Sequence, residues 1–332
     1  MAMVRIGLMG TGFVARLRAD ALIADGRGQL VAVAGHQPPV VEAFAQRYGA
    51  IPLPSWQDLV AHPKLDLVVV SHINRDHGAV VLAALAAHKH VVVEYPLALT
   101  VLDAEAALAL AKANQRLLHV EHIELLGGTH LAFKAHLPSL GLPIYAHYST
   151  LSLKSPAPES WTYSPELFGF PLIGALSRIH RLVDGFGRVE RVYCQNHYEG
   201  LTTDPKGLTR YITCLCKAQL TFASGLMAEV VYGKGEGIWE GERRLAVWGQ
   251  TGKIILDGEQ GRVITAQGDQ PISVGSRRGL FATDTKMVLD YLQDQTPLYC
   301  TPETSLYSLR VAAAAQESAR TGQVVSMEQL LI

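Results

Sequence analysis

The chain has 332 residues, about right for two domains rather than one. Hydrophobic residues make up 48% and charged residues 18%, enough apolar material for packed cores, which excludes a disordered or fibrous chain. The net charge of -1 with neutral histidines gives no global field for nucleic acid or an anionic membrane, and neither is expected as a partner.

In chain order, Val4–Met9 reads as a strand, Val14–Ala24 as a helix and Leu30–Ala34 as a strand. Val40–Tyr48 is helical, Leu67–Ser71 strand and Gly78–Ala87 helical. Val91–Glu94 is strand, Val101–Asn114 helical and Leu117–Val120 strand. Continuous runs such as LDLVVVS suit a sheet buried on both faces, and strand-helix alternation predicts a parallel, doubly wound sheet. After about residue 125 the pattern changes. Ile144–Leu153, Val189–His197, Tyr211–Phe222, Gly225–Tyr232, Arg244–Trp248, Lys253–Leu256 and Arg262–Thr265 read as strands. Glycine-bearing turns between them predict a large, mostly antiparallel sheet. Pro171–Val183 is read as one helix, with two more at Asp284–Gln293 and Ser305–Ser318.

No apolar run approaches the roughly 20 residues that span a bilayer. A glycine-rich strand-turn stands in the first dozen residues instead of a signal peptide, so a cytoplasmic protein is expected. Cys194, Cys214, Cys216 and Cys300 form no C-x-x-C pair, and no Cys/His cluster has zinc spacing. Free thiols and no metal site are expected.

The sharpest motif is IGLMGTGFVAR, a strand, turn and helix start. Gly10, Gly12 and Ala15 stand as G-x-G-x-x-A, with Thr11, Phe13 and Val14 completing the turn. Gly10 permits the tight turn, Gly12 lets backbone approach a pyrophosphate, and Ala15 allows close helix–strand packing. A nicotinamide-dinucleotide site is therefore expected. NAD sites usually place Asp or Glu at the end of the second strand, but Gly35, His36 and Gln37 stand there. A 2′-phosphate meets no repulsion, and His36 or Arg16 is available to donate to it. NADPH is the expected cofactor, with NADH the weaker alternative.

Two more segments end at the same sheet edge, where such folds bind ligands. Ser71, His72, Ile73 and His77 follow the third strand, and Glu94, Tyr95 and Pro96 follow the fourth. The expected organisation is a nucleotide-binding Rossmann domain over 1–123 and a substrate-binding α+β domain over 124–332. The last helices are candidates for packing back on the first domain.

These segments resemble the glucose–fructose oxidoreductase and inositol dehydrogenase family over essentially the whole length. The resemblance implies a Rossmann domain, a C-terminal α/β domain with an open sheet, and an E-K-P motif. Here that motif reads Glu94-Tyr95-Pro96, without the lysine that is the family's usual catalytic residue on sugars and polyols. Sugar-oxidising members also carry Asp and His four residues apart on a C-terminal helix. PLIGALSRIHR offers Leu176 or Ser177 and His180 or Arg181 there, and recovers no acid. The variant segments VVVEYPLAL, LLHVEHIELLGG, GALSRIHR, VVYGKGE and VGSRRGLF resemble instead those of the biliverdin reductases, the cyanobacterial type above all.

That resemblance implies reduction of biliverdin IXα to bilirubin IXα by NADPH. A hydride goes to the central methine carbon and a proton to a pyrrole nitrogen, with the tetrapyrrole as partner. Arginines suit propionate anchoring and developing negative charge. In a helix over 171–183, Arg178 flanks the apolar stripe of Leu172, Ala175, Leu176, Ile179 and Val183, and Arg181 lies roughly opposite it. Arg178 is ranked first for assisting proton delivery, and Arg181 is either a propionate contact or a solvated arginine. Tyr95 either donates a hydrogen bond or packs beside the nicotinamide, and Glu94 is expected on the nicotinamide ribose or amide. Glu121 and His122 are expected pocket residues, while His119 is read as a core hydrogen-bonding group. Arg277 and Lys234 are further propionate candidates. Competing readings are a sugar or polyol dehydrogenase, which predicts the missing lysine and acid, and a non-catalytic NAD(P)-sensing regulator. The assembly is expected to be a monomer or a homodimer.

Overall fold

A computed structural model describes residues 3–205 and 207–330; the ends of the sequence-read domains, residues 1, 2, 331 and 332, lie outside the described residues. The chain divides into two compact units, Met1–Ile123 with Arg278–Leu306, and Glu124–Arg277 with Tyr307–Ile332. No helix among the described residues is long and apolar enough to cross a membrane.

The first unit alternates strand and helix: β1 (Val4–Met9), α1 (Phe13–Asp25), β2 (Gly28–Ala34), α2 (Pro38–Tyr48), β3 (Ile51–Leu53) and α3 (Trp56–Ala61). It continues with β4 (Leu67–Val70), α4 (Asn74–Ala86), β5 (His90–Glu94), α5 (Val101–Ala113) and β6 (Leu118–Glu121). The sheet order is β3-β2-β1-β4-β5-β6, with every pair parallel. Winding reverses between β1 and β4, and open α/β sheets bind ligands at that switch point. Ile6, Leu8, Val33, Val69 and Val92 pack with Ala15, Ala19 and Leu22 of α1 in one core. A large aliphatic side chain buried there contributes about 1.5–3 kcal/mol, which is why the strands read as unbroken Val/Leu runs. Helix Leu280–Asp294 adds Val288 and Leu289 to this core. The β3–α3 pair is too short for periodicity to reveal, although Ser55 caps α3 by accepting from the Asp58 N–H at 3.1 Å.

The second unit is built on a nine-stranded sheet among the described residues. Its strand order is Gly268–Ser273, Gln260–Thr265, Gly252–Asp257, Glu242–Gly249, Pro143–Leu153, Met227–Gly235, Thr213–Phe222, Val189–Glu199 and Val325–Ser326. All pairs are antiparallel except Met227–Gly235 against Pro143–Leu153. Along Thr213–Phe222, Cys214, Cys216, Ala218, Leu220 and Phe222 are buried while Leu215, Lys217 and Gln219 face out. That alternation marks a sheet covered on one face. Strand Gly268–Ser273 was not legible because Pro271 cannot donate to a ladder, which confines it to an edge, where it lies.

One expectation changes. Residues 171–183 form two helices, Pro171–Gly174 and Ser177–Phe186, joined through Ala175 and Leu176. Gly174 packs against the Phe168 ring, where an added Cβ would come within 2.4 Å. Arg181, expected opposite the apolar stripe, is buried at 2% exposure, because Ser177, Ile179, His180, Arg181 and Leu182 are all buried and the helix is covered on most sides.

Candidate functional site

The nucleotide turn is built by sterics. Gly10 has φ +121°, and an added Cβ would sit 2.1 Å from the Ser71 carbonyl oxygen, so only glycine closes β1 against the end of β4. The Gly10 N–H donates to Ala34 O at 2.8 Å and the Ser71 N–H to Met9 O at 2.8 Å, which ties β2, β1 and β4 at the switch point. A Cβ on Gly12 would meet nothing within 4 Å, leaving open space over the first turn of α1. That turn carries no acidic residue and no side-chain cap, which leaves a helix start of the kind that suits an anion. Thr11 and Val14 are half-buried and Phe13 is exposed beside it. Ser71 Oγ is buried and has no hydrogen-bond partner among the described residues.

The other cofactor candidates gather along the same edge. Ile73 is the buried cap of α4. His36 Nε2 and His72 Nε2 lie 2.7 Å apart. Burial, reinforced by His36, lowers the His72 pKa to about 4. His77 is fully buried, with Nδ1 2.8 Å from Pro96 O and Nε2 3.1 Å from His72 O. Its ring therefore braces the two loops, and both nitrogens are occupied by backbone. Tyr95 stacks on His122, with ring centroids 5.3 Å apart and planes 6° from parallel. His122 in turn bonds Ser305 Oγ through Nε2 at 2.8 Å, and its N–H donates to Tyr299 OH at 3.0 Å.

Glu94 and Glu121 face each other in the β5–β6 register. Burial first, and the Glu94 carboxylate second, push the Glu121 carboxyl well above the usual carboxylate range. Behind them lies a group that sequence reasoning missed. Arg18, buried in α1, donates to Glu94 Oε1 at 3.1 and 3.0 Å and to Thr285 Oγ1 at 3.2 Å, and it pairs with Asp284. Asp284 also meets His119 Nε2 at 2.7 Å and the Tyr299 hydroxyl at 2.8 Å, the core role read for His119. Burial disfavours a charged Asp284, but the Arg18 guanidinium and His119 outweigh it and hold the carboxyl well below its ordinary value. The signal for Arg18 was its place among Ala15, Ala19 and Leu22 on the buried stripe of α1.

The second unit holds two cationic groupings. In the first, Arg178 Nε donates to Thr150 Oγ1 at 3.2 Å and Nη1 to Ser177 Oγ at 2.9 Å, with the guanidinium 5.5 Å from the Tyr232 ring. Lys234 is buried in an aromatic box, 4.1 Å from the Phe168 ring, 4.7 Å from Tyr163, 5.8 Å from Tyr211 and 6.0 Å from Tyr232. Its ammonium donates to Thr162 O. Burial, helped by Arg178, brings its pKa down to about 8. In the second grouping Glu124 accepts from both Arg181, at 3.0 Å, and the exposed Arg277. The four basic candidates thus fall into two pairs, one around Tyr232 and one around Glu124.

Comparison with known proteins gives three kinds of likeness. The oxidoreductase family with an NAD-binding Rossmann fold matches residues 4–122, and its C-terminal alpha/beta domain matches residues 138–327. The crystal structure of biliverdin reductase from Synechocystis sp. PCC 6803, in complex with biliverdin and NADP+, superposes with a TM-score of 0.92 at 46% identity, over 96% of this chain and 99% of that one. Inositol 2-dehydrogenase of Acidothermus cellulolyticus is 32% identical over 186 residues, 54% of this chain and 54% of that protein. Biliverdin reductase A of Mus musculus is 32% identical over 138 residues, 42% of this chain and 44% of that protein. The chain spans about half the length of the curated relatives it matches.

Proposed function

Because the chain belongs to the oxidoreductase family with an NAD-binding Rossmann fold, we propose that it is a biliverdin reductase, reducing biliverdin IXα to bilirubin IXα with NADPH. The carrying observation is the end-to-end likeness to the Synechocystis enzyme, together with Glu94-Tyr95-Pro96 where polyol-oxidising relatives hold a lysine. The first unit suits a dinucleotide. Open space over Gly12, the bare N-terminus of α1 and the unpartnered Ser71 Oγ favour a diphosphate and ribose. Bound NADPH supplies the hydride.

The chain's own residues hold the bilin, anchor its two propionates and bring one proton to a pyrrole nitrogen. In this reading Arg178 offers a fixed positive charge to the negative charge that develops on the bilin, and it positions the proton donor rather than serving as one. Lys234 and Arg181 or Arg277 are the propionate anchors. Tyr95 donates a hydrogen bond or packs beside the nicotinamide, Glu94 contacts its ribose or amide, and Glu121 and His122 back them.

Two expected results arise here. His36 faces the 2′-phosphate, so His36→Asp puts a carboxylate where that phosphate binds. The ratio of kcat/KM for NADPH over NADH then falls by about tenfold or more. Lys234 is charged below about pH 8 and neutral above it. Bilin affinity, followed by titration across the pH range, therefore falls as pH rises through about 8, and Lys234→Met removes that step. The same depressed value costs folding stability below pH 8, a cost relieved as pH rises toward the ordinary lysine value.

The reading is tested by offering biliverdin IXα and a polyol panel to the purified protein with each cofactor. Loss of the red bilin band and growth of a bilirubin band, with polyols inert, supports it. Polyol oxidation, or cofactor binding without turnover, overturns it in favour of a polyol dehydrogenase or a cofactor sensor.

A further inference from the structure

The ends of β2 and β4 and the first turn of α4 bring three ligand-type side chains to one point. His36 Nε2 and His72 Nε2 are 2.7 Å apart, and Asp76 Oδ2 is 3.5 Å from the first and 3.6 Å from the second. No local spacing in the sequence announces this group, because its members follow different strands of the sheet. Arg75 Nε holds the other Asp76 oxygen, Oδ1, at 3.0 Å, leaving Oδ2 to face the imidazoles. The site is partly sheltered: His72 is 8% exposed, Asp76 19% and His36 51%.

We propose that His36, His72 and Asp76 form a binding site for a divalent transition-metal cation of the zinc type. Tetrahedral Zn²⁺ holds imidazole nitrogen at about 2.0–2.1 Å and carboxylate oxygen at about 2.0–2.2 Å, which puts neighbouring ligand atoms roughly 3.3–3.5 Å apart. The oxygen–nitrogen separations of 3.5 and 3.6 Å lie at the upper end of that spacing and just beyond it. The two nitrogens must part by about half an ångström, which the half-exposed His36 ring does by rotation. Two imidazoles and a carboxylate select Zn²⁺, Co²⁺ or Ni²⁺ over Mg²⁺ and Ca²⁺, which prefer all-oxygen sites. Three protein ligands leave a fourth position for water or another anion. The charged neighbours are Arg75, which opposes a cation from the exposed side, and Asp76, which favours it. The cation draws on the same His36 imidazole as a cofactor 2′-phosphate, but the inference rests on these three side chains alone and holds whatever the cofactor preference.

The test uses full-length, cofactor-free protein freed of metal by chelation, titrated with Co²⁺ and followed by visible absorption, then with Zn²⁺ by calorimetry. One Co²⁺ per chain with the intense visible bands of a tetrahedral site is expected. His36→Ala, at an exposed position that tolerates substitution, and Asp76→Asn each lower the affinity by about tenfold or more. His88→Asn, at a separate exposed imidazole, leaves it unchanged. Absence of saturable one-to-one binding, weak octahedral bands, or an affinity untouched by His36→Ala in folded protein overturns the proposal.

Discussion

Arg178→Ala lowers the turnover of biliverdin about tenfold or more while NADP⁺ affinity barely changes. Arg178 opens helix Ser177–Phe186, where neutral hydroxyls of Thr150 and Ser177 and the Tyr232 ring hold its guanidinium. These partners orient the guanidinium. Electrostatic stabilisation of charge that develops in a transition state is worth about 2.7–4 kcal/mol per preorganised donor, or 10²–10³ in kcat. Tenfold is the lower bound because Lys234, beside the same Tyr232 ring, supplies a second cation. The nucleotide turn belongs to the first unit, so a truncation in the second leaves cofactor affinity in place. Steady-state kinetics on the bilin and a fluorescence titration of the cofactor check both halves. Near-normal turnover removes Arg178 from the mechanism. Tyr95→Phe is milder, because the stacking on His122 survives loss of the hydroxyl.

Arg18→Ala costs the fold about 3–5 kcal/mol, a large part of the roughly 5–15 kcal/mol that stabilises a typical domain. The arginine is 2% exposed and Asp284 is fully buried, so truncation strands a charge that nothing of comparable strength replaces. The pH dependence gives the sign. In the intact chain Asp284 is held below its ordinary value, so its stabilising contribution is present at neutral pH and disappears only in strong acid. Without Arg18, burial dominates and raises the Asp284 carboxyl. The variant's deficit is then largest at neutral pH and shrinks as pH falls and the acid takes up its proton. Urea denaturation of both proteins at neutral and mildly acid pH measures this. A deficit under about 1 kcal/mol, in the range of exposed ion pairs, contradicts it.

Much of the fold was legible because it is written in local pattern. The Val/Leu runs of β4 and β5 announce strands buried on both faces, and Gly10 and Gly12 announce the turn between β1 and α1. In the second sheet, alternation along Thr213–Phe222 is plain. What escaped depends on contacts between distant segments. Arg16 and Arg18 look alike in VARLRAD, yet Arg16 is exposed and Arg18 buried, and Arg18's partner Asp284 lies 266 residues away. Arg181 faces away from the apolar stripe by periodicity, yet it is buried against Glu124 and the Tyr148 ring, partners that lie far off in the sequence. His36 and His72 were each legible as residues at a ligand-binding edge. Their convergence with Asp76 was not, since it requires the β3-β2-β1-β4 strand order to bring separate loops together.

Delivery of the hydride to the central bridging carbon is the step that defines the proposed reaction. NADPH carrying deuterium at the transferable position, incubated with the protein and biliverdin IXα, should give bilirubin with one deuterium on the central bridging carbon, read by mass spectrometry and proton NMR. Bilirubin without the label at that carbon, or label retained in the nicotinamide with the bilin unchanged, would contradict it.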